Sequence, residues 1–367
     1  MFTNRQDAIR AAAAIGLTLG AFGMSSAAPP GTGAPPSAAN VAYMSVSYKD
    51  TWGNPTKAAV RGMAVTSAGT VAGDAELWKS FTRSSRSIAW DPTGTWLAWF
   101  QQSDSRGTPA LVIATPGKAP VTVYVFQADY LWTSNLADAV SWGRGCGGRP
   151  LLYFRSGAGA LWVIDPFEAG SQPQVVYPEM GNGGGGLVVS PLGNFAVFAQ
   201  KDEASGELGI VALPLACVPD SATPVVAGPV QPLFAARYDG DPGWTVSLDW
   251  SSDGRRLAIA MGRTAPNPSG GTWLYDPEVW VAELNYVVGN GSEQVTFQSL
   301  QHTASGPGSH PSWAPTSATA KCDRLAFSRG GSLLLLDVPR TGFRAAECDI
   351  PSPVILGAKS ADALDWK

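Results

Sequence analysis

Histidine is scarce in this chain. His302 and His310 are the only two among 367 residues. So few imidazoles limit metal-dependent hydrolysis and histidine-based lyase chemistry. There is no G-x-S-x-G elbow, no P-loop, and no G-x-G-x-x-G opening a helix. The run "GNGGGG" at 181–186 leads into a strand pattern, so it cannot present a phosphate to a helix N-terminus. Charge is also sparse: 15% of residues are charged and the net charge is -4, which leaves no basic face for a nucleic acid. None of the four cysteines stands in a C-x-x-C pair, so neither a zinc site nor a cofactor is expected. Past residue 24 there is no long apolar run, so no stable membrane span is expected once the leader is removed.

What is present begins with a leader. "MFTNRQDAIR" carries Arg5 and Arg10, "AAAAIGLTLGAFGM" (11–24) is apolar, and "SSAA" follows. This positive, apolar, small-residue order is that of a secretory signal peptide over 1–27, with Ser25 and Ala27 at the two small positions before the cut. "PPGTGAPPSAAN" closes residues 28–40, a Pro/Gly/Ala-rich linker. A periplasmic or secreted destination makes disulfides the default for Cys146, Cys217, Cys322 and Cys348.

The rest, 41–367, is built from one recurring phrase. "SIAWDPTGTWLAWF", "AVSWGRGCGGRPLLYF", "LVVSPLGNFAVFA", "SLDWSSDGRRLAIAM", "HPSWAPTSATAKCDRLAFS" and a final "ALDWK" share an anchor at Trp90, Trp142, Val189, Trp250, Trp313 and Trp366. By subtraction the anchors lie 52, 47, 61, 63 and 53 residues apart, a period that marks a repeat architecture. Each copy continues with β-rich runs punctuated by Gly, Pro and Asp, and no long amphipathic helix lies between them. Four antiparallel strands per unit, repeated, make the blades of a propeller. The last copy stops after one strand. "VAYMSVS", "KAAVRGMAV" and "VAGDAELW", between residues 42 and 78, are three strands with no anchor strand before them. Joined to 361–367 they complete one blade, so the reading is an all-β, six-bladed β-propeller.

The pattern Trp-Ser-Pro/Ser-Asp-Gly followed by an apolar strand resembles the Pro-Asp-Gly repeat of TolB-like six-bladed propellers. "DWSSDGRRLAIA" is the best match, and "AWDPTGTWLAW" and "SWAPTSATAKCDRLAF" are looser. TolB has an α/β domain ahead of its propeller. Here only the linker stands in that place, so a stand-alone propeller is expected. The resemblance implies an exported, monomeric module that binds a protein or an envelope component. The alternative is a hydrolase or lyase acting on a carbohydrate or small ester in the central channel.

The repeat register then places residues on the disc. All four cysteines fall on the face that carries the turns after the anchors. Cys322 and Cys348 belong to one blade and are expected to pair, which leaves Cys146–Cys217 to join neighbours. Two positions before each anchor the residues are mainly apolar. Four before stand Arg86, Asp138 and Asp362, expected at the channel mouth. Asp138 and Asp362 are also a candidate catalytic carboxylate pair, and His310, in "SHPSWAP", is the best single catalytic candidate. The blade crossings and the loop 262–278 bring Tyr130, Trp132, Tyr238, Asp239, Asp241, Trp244, Trp273 and Tyr275 to the opposite face. Aromatics beside charges suit a protein or glycan contact there.

Overall fold

A computed structural model of the chain describes residues 40–366, except 50–54, 82–83, 103–108, 127–139, 156–158, 181–185, 202–207, 219–220, 237–242, 267–271, 290–291, 316–318 and 358–360. The leader and nearly all of the linker lie outside the described residues. In chain order the first strands are β1 (Val41–Lys49), β2 (Pro55–Val65) and β3 (Val71–Phe81). The first blade is β4 (Ser84–Trp90), β5 (Leu97–Gln102), β6 (Pro109–Ala114) and β7 (Val121–Val125). The second is β8 (Val140–Arg144), β9 (Pro150–Arg155), β10 (Leu161–Ile164) and β11 (Gln174–Tyr177). The third is β12 (Leu187–Val189), β13 (Phe195–Lys201), β14 (Leu208–Ala216), β15 (Val225–Val226) and β16 (Gln231–Ala236). The fourth is β17 (Gly243–Trp250), β18 (Arg256–Pro266), β19 (Thr272–Gly289) and β20 (Ser292–Pro307). The fifth is β21 (Ser309–Trp313), β22 (Cys322–Arg329), β23 (Ser332–Pro339) and β24 (Val354–Ile355). The last strand, β25 (Ala361–Trp366), pairs with β1, so the closing blade runs β25-β1-β2-β3.

The expected closure is therefore present, with Val41 opposite Trp366 and Ser45 opposite Ala361. The third blade departs from four strands. Its outer edge is split between β15 and β16, both paired to β14, because Gly228 and Pro229 interrupt the run and proline cannot donate to a ladder. The fourth blade also differs from the sequence reading. Most of the stretch read as a long loop is hairpin, with Trp273 opposite Ala265 and Tyr275 opposite Arg263. The β-branched and aromatic residues of "TWLY" extend β19 instead of leaving the sheet.

Six apolar clusters, one per blade junction, hold the ring together. Each middle strand serves two of them through its two faces. On β5, Leu97 and Trp99 pack toward the closing blade while Ala98 and Phe100 pack toward the second. On β18, Leu257, Ile259 and Met261 meet the third blade while Ala258 and Ala260 meet the fifth. Strands buried on both faces read as continuous apolar runs such as "LAWF" and "RLAIAM", not as strict alternation.

Local chemistry sets the turns. The residue after the anchor caps the turn: Asp91 accepts from the backbone N–H of Thr95 and Trp96, both at 2.6 Å, and Ser251 Oγ accepts from Arg256 N–H at 2.9 Å. Gly193 closes the third such turn at φ 74°, and a Cβ there would stand 2.5 Å from the Arg144 carbonyl oxygen of the neighbouring blade. Both expected disulfides form. Cys146–Cys217 links the second and third blades, and Cys322–Cys348 lies within the fifth, with Cα separations of 5.3 and 5.8 Å. Replacing Cys322 and Cys348 by Ser is expected to cost about 2–4 kcal/mol, read as a lower Tm under non-reducing conditions. A melting point unmoved by the double substitution would assign that bridge no stabilising role.

Candidate functional site

The six innermost strands enclose a central channel of about 670 Å³. Each anchor packs against the preceding blade, so the residue before it turns toward the following one. Those residues are Ala89, Ser141, Val188, Asp249, Ser312 and Asp365. The polar ones bond the anchor backbone of the next blade. Ser141 Oγ accepts from Val189 N–H at 3.0 Å, Asp249 Oδ2 from Trp313 N–H at 2.7 Å, Ser312 Oγ from Trp366 N–H at 3.0 Å, and Asp365 Oδ2 from Trp90 N–H at 2.5 Å. The innermost strands belong to six separate sheets, and these side chains bridge them.

Three of these residues form one cluster. Ser312 Oγ donates to Asp365 Oδ1 at 2.9 Å, and Asp249 lines the same channel wall one blade earlier. Burial pushes the pKa of Asp249 up, and the charge of Asp365 pushes it further, well above the usual carboxylate value. Burial raises Asp365 as well, to about 6, against the opposing hydrogen bonds from Trp90, Ser312 and Trp366. Asp249 and Asp365 are half-buried residues that line the channel. The oxygens of this cluster serve as acceptors for the ring's backbone.

A second charged cluster lies behind the channel wall, between the fourth and fifth blades. Asp323 accepts from Arg256 and, at 2.7 Å, from Arg340 Nη2, while the Arg256 guanidinium lies 5.0 Å from the centroid of the Trp313 ring. Burial alone would raise the Asp323 carboxyl, but hydrogen bonds from Arg340 and the charge of Arg256 outweigh it and hold the pKa below the usual value. Arg324 grips Asp337 with contacts of 2.8 and 3.2 Å, and Asp337 also accepts from Ile350 N–H at 3.0 Å.

The residues singled out in the sequence are distributed as follows. His310 lines the channel, buried, at φ 50°. Its N–H donates to Ser247 Oγ at 3.0 Å, and its Nδ1 lies 3.2 Å from Ser309 Oγ. Arg86 and Asp362 stand on β4 and β25, Trp244 on β17, and Trp273 and Tyr275 on β19; only their backbones are described. Asp138, Tyr130, Trp132, Tyr238, Asp239 and Asp241 lie outside the described residues. The carboxylate pair that the channel does contain, Asp249 and Asp365, was not singled out in the sequence. Its signal was the shared "LDW", which puts Asp one residue before the anchor in two copies.

Fold and channel together define a closed six-bladed β-propeller. Its likeness to solved structures spreads over propellers of several kinds. It resembles the periplasmic gluconolactonase PpgL of Pseudomonas aeruginosa at a TM-score of 0.50 and 14% identity, over 89% of this chain and 98% of that one. A structure of a nidogen/laminin complex matches at 0.45 and 12%, over 82% and 89%. Prolyl oligopeptidase B from Galerina marginata matches at 0.40 and 10%, over 86% of this chain and 40% of that one. At such identities the likeness speaks to the fold alone. No protein-family profile and no curated protein matches the chain.

Proposed function

We propose that this chain is an exported binding propeller, TolB-like in its repeat, that engages a protein or another cell-envelope component through its blade-crossing face and channel mouth. The observation that carries this reading is the use made of the channel's polar side chains. Ser141, Asp249, Ser312 and Asp365 are all bonded to neighbouring backbones, so the channel wall acts as a rigid scaffold and the loops are left for recognition. Both ends of the closing hairpin support the choice of face. Val41 and Trp366 pair at the turn face, so both ends of the propeller lie on the face opposite the crossing loops. Two disulfides fit an oxidising compartment, and no helix among the described residues is long and apolar enough to cross a membrane.

The test is capture from the organism's own envelope fraction by the mature chain, compared with a variant carrying Tyr130→Ala, Trp132→Ala and Trp244→Ala. Capture of one defined component, reduced about tenfold or more in the variant, is the expected result. Equal capture by a folded variant would overturn the assignment of the face. Turnover of a sugar or small ester by the wild type, lost in Asp138→Ala, Asp362→Ala or His310→Ala with the fold intact, would replace binding by catalysis.

A further inference from the structure

Charges of opposite sign stand at two levels of the channel. Two residues after each anchor are Pro92, Arg144, Pro191, Ser252 and Pro315, and all five line the channel where it meets the turns. Arg144 is the one charged member of this rim. It is exposed, and its guanidinium makes no hydrogen bond or ion pair among the described residues. Asp249 and Asp365 stand one residue before their anchors, deeper in the channel by at most about 10 Å. Each is held by a backbone N–H of the next blade, yet a carboxylate has about four acceptor sites, so each keeps sites over. Arg144 is the only Lys or Arg in the channel lining. Arg256 lies across the Trp313 ring and is committed to Asp323, and Asp91 is taken up by the N–H groups of Thr95 and Trp96. Between the two levels stand the anchors. Trp250 and Trp313 are 5% and 3% exposed, and their indole nitrogens are buried with no partner among the described residues. The indole of Trp142, by contrast, donates to the Ala89 carbonyl at 2.9 Å. Buried donors left unpaired favour an acceptor beside them.

We propose that the channel, entered from the turn face, binds a short peptide of two or three residues, with its terminal amine at Asp249 and Asp365 and its terminal carboxylate at Arg144. The cavity of about 670 Å³ has the size that small ligands fill. A guanidinium grips a carboxylate with two parallel hydrogen bonds. Two carboxylates fixed by backbone bonds are preorganised for an ammonium and lose little freedom on binding it. Burial disfavours charge on both, and the charge of Asp365 disfavours it further on Asp249; an ammonium beside them offsets this. An extended peptide spans about 3.3–3.6 Å per residue, so two or three residues bridge the two levels. Its carbonyls are acceptors for the indole N–H groups of Trp250 and Trp313. The turn face is opposite the crossing loops, so this site leaves the face proposed for a larger partner free.

The experiment is isothermal titration of the mature chain with three probes: trialanine, its N-acetyl form and its C-terminal amide. The wild type is expected to bind trialanine about tenfold more tightly than either blocked peptide. The Arg144 side chain is exposed, so Arg144→Gln is expected to melt as the wild type does. It should lose about tenfold in affinity for trialanine and nothing for the amide. Asp249→Asn keeps a side-chain oxygen for Trp313 N–H and should narrow the preference for trialanine over its N-acetyl form. Absence of binding at millimolar trialanine would overturn the proposal. So would equal wild-type affinity for all three probes, or a loss in Arg144→Gln that is the same for the free acid and the amide. If Asp249→Asn does not fold, the N-acetyl peptide on the wild type decides the amine end.

Discussion

A chain shortened by residues 361–367 is expected to lose cooperative melting and to self-associate. Removing β25 takes Ala361, Leu364 and Trp366 out of the cluster shared with the fifth blade and Ala363 out of the one shared with the first. Truncating a single buried Leu or Trp side chain costs about 2–5 kcal/mol, and whole-domain stability is only about 5–15 kcal/mol. The edge of β1 is bared at the same time. Val41, Ala42, Tyr43 and Met44 are fully buried in the ring, and an apolar free edge is a template for pairing with other chains. A second chain separates strand pairing from chain order. Trp366 stands opposite Val41, so "ADALDW" placed ahead of Val41 through an Ser-Ser-Asp-Gly turn rebuilds the hairpin found in the other blades. That chain, also lacking 361–367 at its C-terminus, is expected to melt cooperatively. Cooperative melting of the simple truncation, by circular dichroism and calorimetry, would show that closure is dispensable.

Asp323→Ala is expected to destabilise the protein by about 3–5 kcal/mol. The Asp323 carboxylate and the Arg256 guanidinium are nearly inaccessible, with side chains 2% and 5% exposed. Removing the acid leaves Arg256 buried and uncompensated beside Arg340. A triple variant with Asp323→Leu, Arg256→Met and Arg340→Met should recover much of the loss, because apolar packing replaces the ions. The pH dependence has the opposite sign to that expected from the raised carboxyls of Asp249 and Asp365. The depressed pKa of Asp323 contributes stability that is present above about pH 4 and is lost as pH falls through the folded value. Wild type should therefore be most stable in mild acid, between the two effects, and Asp323→Ala should lose part of the fall at low pH. Denaturant midpoints at pH 3, 5 and 8 would show this. An acid limb unchanged in the variant would assign the fall to other carboxylates.

The ring and its closure were legible because they depend on local pattern. Trp90, Trp142, Trp250, Trp313 and Trp366 repeat in sequence since each fills the same wedge against the preceding blade. The disulfides followed from the same register, as neighbouring blades bring Cys146 and Cys217 to one face. The hairpin through Trp273 and Tyr275 was misread as loop, because Pro266, Pro268 and two glycines in "PNPSGGT" outweighed the β-forming "TWLY" beside them.

The channel-wall cluster of Asp249, Ser312 and Asp365 was not legible in the same way. Asp249 and Asp365 each read as an ordinary aspartate before an anchor, and Ser312 as a small polar residue in "HPSWAP". They lie 63 and 53 residues from one another along the chain by subtraction, and nothing local couples them.

The sequence by itself determined the number of blades, the four-stranded unit, the register of the anchors and the pairing of the chain's last strand with its early ones. Periodic burial writes these features residue by residue. Only the tertiary structure decided which side chains meet across the channel. Closing six twisted sheets into a ring brings equivalent positions of different blades within hydrogen-bond reach, and burial there sets the charge that each can bear.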